Sequence, residues 1–425
     1  MAIRPYALRA LDGELDDLMG GLSAIAIEGA KGVGKTATAL QRAATVLELD
    51  DERQREIAAA DLDRVVDGEP PILIDEWQLL PPVWDKVRRA VDADPAPGRF
   101  LLTGSASPEG GGSHSGAGRI VILRMRPMSL AERLPGMGTV RLEELLRGKR
   151  EAVEGRTDFK LTDYLDEILR SGFPGIRDLP DRAREAQLEG YVSRIVDRDF
   201  PELGRPIRDA ARLRAWMAAY ASATATTTSF DKLRAAASAG HTSKPSKTTV
   251  LPYREILQRL FVLDPVPGWR PRAHLNELAT APKHHLADPA LAATLVNVSR
   301  DVLLGGESPG PVRPKDGTFL GALFESLVTL SVRVYAQAVG ARVHHFRTHR
   351  GDHEVDLVVE GRNGKVVAIE VKLTATSSGD AVRHLEWFGE RFGDDIADRL
   401  IVTTGPEAYR RQDGIAVVPA ALLRA

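Results

Sequence analysis

The feature that most limits what this chain can fold into is Gly29-Ala30-Lys31-Gly32-Val33-Gly34-Lys35-Thr36, which follows the apolar run Ala24-Ile-Ala-Ile and precedes a helix-forming stretch. Two spaced glycines followed by Lys-Thr, between a buried strand and a helix, form a backbone cradle for phosphate. Glycines let amide N–H groups close around an anion, and the positive end of the helix adds to the attraction. Lys35 would neutralise the outer phosphates of a nucleoside triphosphate, and the Thr36 hydroxyl would ligate Mg²⁺. A purely structural glycine turn is the competing reading.

About 40 residues further on, Ile72-Leu-Ile ends in Asp75-Glu76. Behind a phosphate loop, two acids at a strand end have distinct tasks: Asp75 to hold Mg²⁺ through water, Glu76 to activate the attacking water. A third apolar run, Phe100-Leu-Leu, ends in Thr103-Gly-Ser105, which would set a hydroxyl at the outer phosphate or simply cap the strand. Arg119, after the Gly/Ser-rich stretch Ser105–Gly118, is either a finger reaching a neighbouring subunit's nucleotide or a surface arginine. The alternation of continuous apolar strands with helices (helix Thr36–Leu47, strand Ile72–Ile74, helix Val83–Val91, strands Phe100–Leu102 and Ile120–Leu123) predicts a parallel sheet covered on both faces.

At 425 residues the chain should hold about two to four domains. The boundaries expected are 1–127 for the phosphate-binding α/β domain, 128–205 for a helical lid or linker, 206–270 for a winged-helix-like domain, and 271–425 for a C-terminal α/β domain. The winged-helix expectation rests on helices near Asp209–Ser222, Phe230–Ser238 and up to Leu260, then the strand-like Phe261-Val-Leu; Pro252 sits awkwardly in the third helix. A long helix is expected over Phe319–Val339. The chain has no cysteine, which excludes thiol catalysis and cysteine-ligated zinc. With 57 basic and 59 acidic residues, whole-chain charge indicates no polyanion partner, although a local basic face remains open. The absence of an evident signal peptide or long uninterrupted apolar run leads to the expectation of a cytoplasmic protein without a membrane segment.

A second constellation lies near the C-terminus. Glu354-Val-Asp356 is followed, fourteen residues after Asp356, by Glu370-Val-Lys372, with Gly361–Lys365 as the turn between two strands. Glu370 and Lys372 share a strand face. Asp356 and Glu370 could hold Mg²⁺ or Mn²⁺ against a scissile phosphate, Lys372 could orient or deprotonate water, and Glu325 could add a third carboxylate. The alternatives are a solvated, ion-paired strand face or a nuclease scaffold that only grips DNA. The adjacent pairs His284-His285 and His344-His345 point to opposite strand sides and do not suggest a shared metal. Lys244, Lys247, Arg254, Arg259, Arg270 and Arg272, and further on Arg347, His349 and Arg350, would suit a polyanion or a solvated helix face.

Together, GAKGVGKT, ILIDEWQ, LLTGSAS, GRIVILRMRPMSLAE, SGFPG, KHHLADPAL, GALFESLV and EVDLVVE with AIEVKL resemble the prokaryotic AAA-type (AAA_14) P-loop ATPases that carry a C-terminal DUF4143 domain. The resemblance implies an α/β fold: an AAA-type ATPase domain, a helical and winged-helix middle, and a PD-(D/E)xK restriction-endonuclease-like α/β domain. The function expected is a Mg²⁺-dependent ATPase, forming homo-oligomers or rings, coupled to binding and nucleolytic processing of branched or damaged DNA. Two other readings stand beside it: a regulatory ATPase switch for protein partners with an inactive nuclease fold, and a non-catalytic DNA-binding ATPase acting through the winged helix.

Overall fold

The structure is a computed structural model that describes residues 6–105, 117–149, 153–203, 209–238, 247–271, 281–305, 316–349, 351–375 and 379–425. Lys244, Arg272, Arg350, the turn at 239–243 and most of the stretches 105–118 and 305–316 lie outside these residues. The chain forms two compact units. The first comprises Met1–Pro127, Phe173–Gly175 and Glu255–Val262, and the second comprises the rest.

The first unit is built on five parallel strands: β1 (Ala24–Glu28), β2 (Thr45–Glu48), β3 (Ile72–Asp75), β4 (Phe100–Gly104) and β5 (Ile120–Arg124). Their order is β2-β3-β4-β1-β5. β1, β3 and β4 are buried along their whole length, as continuous apolar runs between two helical layers must be. The helices of its N-terminal segment include α1 (Ala10–Met19), α2 (Lys35–Leu40), α3 (Glu52–Ala60) and α4 (Pro82–Ala93). α4 buries Val83, Trp84, Val87 and Val91 against the sheet, and Trp84 lies 4.6 Å from Trp77, ring centre to ring centre. In-register pairing puts Glu28 level with Gly104 and Arg124, so the carboxyl ends of the central strands share one edge.

The helix expected over Thr36–Leu47 stops at Leu40, and Thr45–Glu48 is the edge strand β2. Its side chains alternate between half-buried and exposed, which is a strand's period, and its β-branched Thr45 and Val46 favour that form.

The second unit carries a mixed sheet. Its strands are β6 (Val140–Arg141), β7 (Gly155–Arg156), β8 (Arg342–Arg347), β9 (Glu354–Glu360), β10 (Val366–Val371), β11 (Ile396–Thr403), β12 (Glu407–Arg410), β13 (Ala416–Pro419) and β14 (Leu423–Arg424). Seven of them run in the order β7-β12-β13-β11-β10-β9-β8, and β6 pairs with β14. β8, β9 and β10 are antiparallel neighbours, whereas β10, β11 and β13 are parallel. The helix Gly379–Phe392 covers one face, packing Ala381, Leu385 and Phe388 against Phe346, Val358 and Ala368. Preceding β8, the helix Asp316–Ala338 is by length and composition able to cross a membrane over Phe319–Ala338, yet most of that stretch is buried inside the protein. Its Ser331 and Tyr335 hydroxyls accept the amides of Leu130 and Ala131.

The middle helices are Ala210–Ser222, Phe230–Ala236 and Lys247–Arg259, with Pro252 inside the third. The strand expected at Phe261-Val-Leu does not form. Phe261 adopts a left-handed backbone (φ +60°), and pairing begins with single antiparallel bridges, Leu263 to Leu286 and Val266 to Lys283.

A buried charge group holds Gly172 in place. Asp288 accepts the Gly172 amide at 2.7 Å, and Arg133 donates to the carbonyls of Met128 and Glu167. A β-carbon on Gly172 would lie 2.4 Å from Arg133 and 2.7 Å from the Met128 carbonyl oxygen. Gly172→Ala should therefore destabilise the protein by about 1–3 kcal/mol. Gly190→Ala, in an open position of the exposed helix Asp181–Arg194, should be neutral or stabilising by up to about 1 kcal/mol. Urea unfolding of the two variants checks the contrast.

Candidate functional site

The loop between β1 and α2 has the backbone that its glycines allow. Gly32 and Gly34 take φ of +80° and +105°, and a β-carbon on Gly29 would collide with the Met125 carbonyl oxygen at 2.1 Å. Lys35 is buried, and its ammonium donates to the Gly29 carbonyl at 2.9 Å and the Ala30 carbonyl at 3.1 Å. Burial pulls the Lys35 pKa down to about 8, against the attraction of Glu76 and Asp75.

The acids stand where β3 ends. Asp75 accepts the Thr36 hydroxyl at 2.7 Å and the Thr103 hydroxyl as well. Burial nevertheless raises its pKa. Glu76 follows in a left-handed conformation (φ +51°), which a non-glycine residue adopts only at a cost. Its carboxylate accepts Ser105 Oγ at 2.7 Å and the Gln78 side-chain amide. Ser105 thus sits beside Glu76. The residues fit a nucleoside triphosphate with Mg²⁺: the loop bends only glycine permits, the inward lysine, and a hydroxyl already joined to a carboxylate.

Arg119 is not gathered here. It precedes β5 at the opposite edge of the sheet and pairs with Asp92 at 2.8 Å. A different arginine, which sequence reading missed, braces the loop. Arg9, at the start of α1, is buried and donates to the Val33 carbonyl at 2.7 Å and the Arg126 carbonyl at 2.8 Å. Nothing in its local sequence distinguishes it; only the fold brings it across 24 residues. Gln78 was legible only as part of ILIDEWQ.

In the second unit, Glu325, Asp356, Glu370 and Lys372 do converge, around a residue absent from the expected set. Lys283 Nζ lies 2.7 Å from Glu325 Oε1, 2.9 Å from Asp356 Oδ1 and 3.4 Å from Glu354 Oε1. The other Asp356 oxygen accepts the Val371 amide at 2.9 Å, and Lys372 pairs with Glu370 at 2.9 Å. Burial raises the Glu325 pKa to about 7, and it also raises that of Glu370. Asp356 stays low, because Lys283, Lys372 and the Val371 amide outweigh its burial. Among the described residues, no three His, Asp or Glu side chains are placed to hold a metal ion. Beside Asp356, where Mg²⁺ or Mn²⁺ is expected from the sequence, the Lys283 ammonium stands among the carboxylates.

The other expected groups have structural partners. His284 contacts the Thr228 carbonyl at 2.7 Å, and His285 the Ser326 hydroxyl at 3.2 Å. His345 contacts the Ala281 carbonyl. Arg254 lies over the Phe230 ring, and Arg347 donates to Thr227, whereas Arg270 and His349 are exposed.

Comparison with known proteins follows this division. Residues 22–134 match the family model described as an AAA domain, and residues 320–423 match the domain of unknown function DUF4143. The chain carries an AAA domain followed by a C-terminal DUF4143 domain. Residues 161–302 match a further domain of unknown function, DUF8612. Uncharacterized proteins of Mycobacterium tuberculosis and Mycobacterium bovis are each 26% identical to it over 361 residues, 82% of this chain and 68% of theirs. Among solved structures, the Walker-type ATPase PABY2304 of Pyrococcus abyssi aligns over 69% of this chain and 98% of its own, at 15% identity and a TM-score of 0.41. The AAA domain holds the phosphate loop, Asp75, Glu76 and Ser105. The DUF4143 domain supplies Glu325, Glu354, Asp356, Glu370 and Lys372, while Lys283 comes from the DUF8612 stretch.

The low Lys35 pKa has a measurable consequence. Bound phosphate favours the ammonium form, so ATP binding near pH 8.5 should take up protons, and affinity should weaken as pH rises through and above 8. Titration calorimetry in buffers of different ionisation enthalpy checks this.

Proposed function

We propose that this AAA-type ATPase is a Mg²⁺-dependent nucleotide switch, and that its C-terminal part is a partner-binding platform on a nuclease-like frame, without strand cleavage of its own. The observation that carries the ATPase part is the join between the loop and the end of β3, where the Thr36 hydroxyl bonds to Asp75 and Glu76 is held by Ser105 and Gln78. The loop amides and Lys35 would bind the phosphates, Lys35 exchanging its hold on the Gly29 and Ala30 carbonyls for phosphate oxygens. Thr36 and Asp75 would hold Mg²⁺, which offsets charge on the outer phosphates when bound. Glu76 would orient water and take its proton, a task that needs the fixed carboxylate that Ser105 and Gln78 provide. Arg119, at the far edge of the sheet, would act only on a neighbouring copy's nucleotide, which makes an ATP-dependent homo-oligomer part of this reading.

A DNA partner is favoured by one feature: Lys372 is partly exposed, and its ammonium could exchange Glu370 for a backbone phosphate. A panel of duplex, forked and four-way DNAs that stimulates ATP turnover, with the stimulation lost in Lys372→Ala, would support it. A panel without effect would favour a protein partner.

Glu76→Gln should retain ATP binding while turnover falls by about 10²–10⁴-fold. Lys35→Ala should lose binding itself. Equal turnover in Glu76→Gln and wild type would contradict the assignment of Glu76 as base.

A further inference from the structure

The second unit gathers carboxylates around one point and sets an ammonium among them. Lys283 is held by its own backbone: its amide donates to the Val266 carbonyl and its carbonyl accepts the Val266 amide, both at 2.9 Å. This exchange of two hydrogen bonds fixes where the side chain leaves the chain. Its stem is fully buried, with 1% of the residue exposed, and its ammonium ends between Glu325, Glu354 and Asp356. Other oxygens of the cluster are taken as well. Asp356 Oδ2 bonds to the Val371 amide, Glu354 Oε2 lies 3.6 Å from Arg347, and Glu370 Oε2 lies 2.9 Å from Lys372.

We propose that Lys283 is a built-in cation that takes the divalent-ion position of this centre, so that the native chain binds no metal there and the DUF8612 stretch is clamped to the DUF4143 sheet by the ammonium in a metal's place. Geometry and charge argue for this together. An ammonium less than 3 Å from two carboxylate oxygens leaves no volume for Mg²⁺ or Mn²⁺ at normal bond lengths. The two cations also repel each other electrostatically at so buried a position. The carboxylates nonetheless remain convergent, so removing the ammonium should uncover the site. This deepens the reading of the C-terminal part as a platform, and ATP turnover, measured on the same preparations, reports separately on the AAA domain.

The test uses the full chain without nucleotide, titrated with Mn²⁺ and followed by paramagnetic resonance and by calorimetry. Four proteins are compared: wild type, Asp356→Asn, Lys283→Met, and Lys283→Met with Asp356→Asn. The expected result is no Asp356-dependent Mn²⁺ site in wild type, one such site per chain in Lys283→Met, and its loss in the double variant, with ATP turnover retained throughout. Lys283→Gln is run in parallel, because Lys283→Met leaves buried carboxylates uncompensated. A variant that folds only when Mn²⁺ is present also supports the proposal. A wild-type Mn²⁺ site that disappears in Asp356→Asn would overturn it. So would the lack of any gain of Mn²⁺ binding or Mn²⁺-dependent folding in both Lys283 variants.

Discussion

An ammonium buried among carboxylates is the interaction on which the second unit depends. Lys283 joins the bridge that follows the three middle helices to the helix Asp316–Ala338 and to β9, elements 42 and 73 residues away in sequence. Such a group adds little net stability compared with apolar packing, because two charges must leave water to make it. Its removal is another matter. Deleting one partner strands the others, at a typical cost of about 3–5 kcal/mol, so the cluster enforces one arrangement of these segments. The same arrangement decides chemistry, since the position a metal would take is already filled.

The first unit solves a different problem with the same economy of charge. Its central strands are uniformly apolar until their carboxyl ends, where Asp75, Thr103 and the Gly29–Thr36 loop come together. Before nucleotide binds, every strong group there has an internal partner: Lys35 bonds to loop carbonyls, Asp75 to two hydroxyls, and Glu76 to Ser105 and Gln78. Arg9 and the bends at Gly32 and Gly34 hold the loop open in advance. Binding then exchanges partners on a preformed frame.

Most of the first unit was legible because its signals are local. Gly29–Thr36 is contiguous, and Asp75-Glu76 ends a strand that announces itself by three consecutive apolar residues. β2 reads as helix in the sequence because Thr45-Val-Leu-Glu is short and its apolar residues are adjacent, although its burial alternates. The long helix at Asp316–Ala338 was expected, and so were Asp356, Glu370 and Lys372 as a group. Lys283 was not, although it stands in KHHLADPAL. Neither its role nor that of Arg9 has a sequence signature, because each is defined by partners that only the fold brings near. The carboxylates alone suggested a metal; their meaning changed once the ammonium between them was visible.

Whether one unit turns over nucleotide while the other cleaves nothing can be settled in a single reaction. Wild-type protein, ATP and end-labelled duplex, forked and four-way DNAs are incubated with Mg²⁺ and with Mn²⁺, and phosphate release and strand length are read from the same tubes. The account predicts steady ATP hydrolysis with every DNA strand intact under both metals. Strand cleavage by wild type that disappears in Asp356→Asn would contradict it.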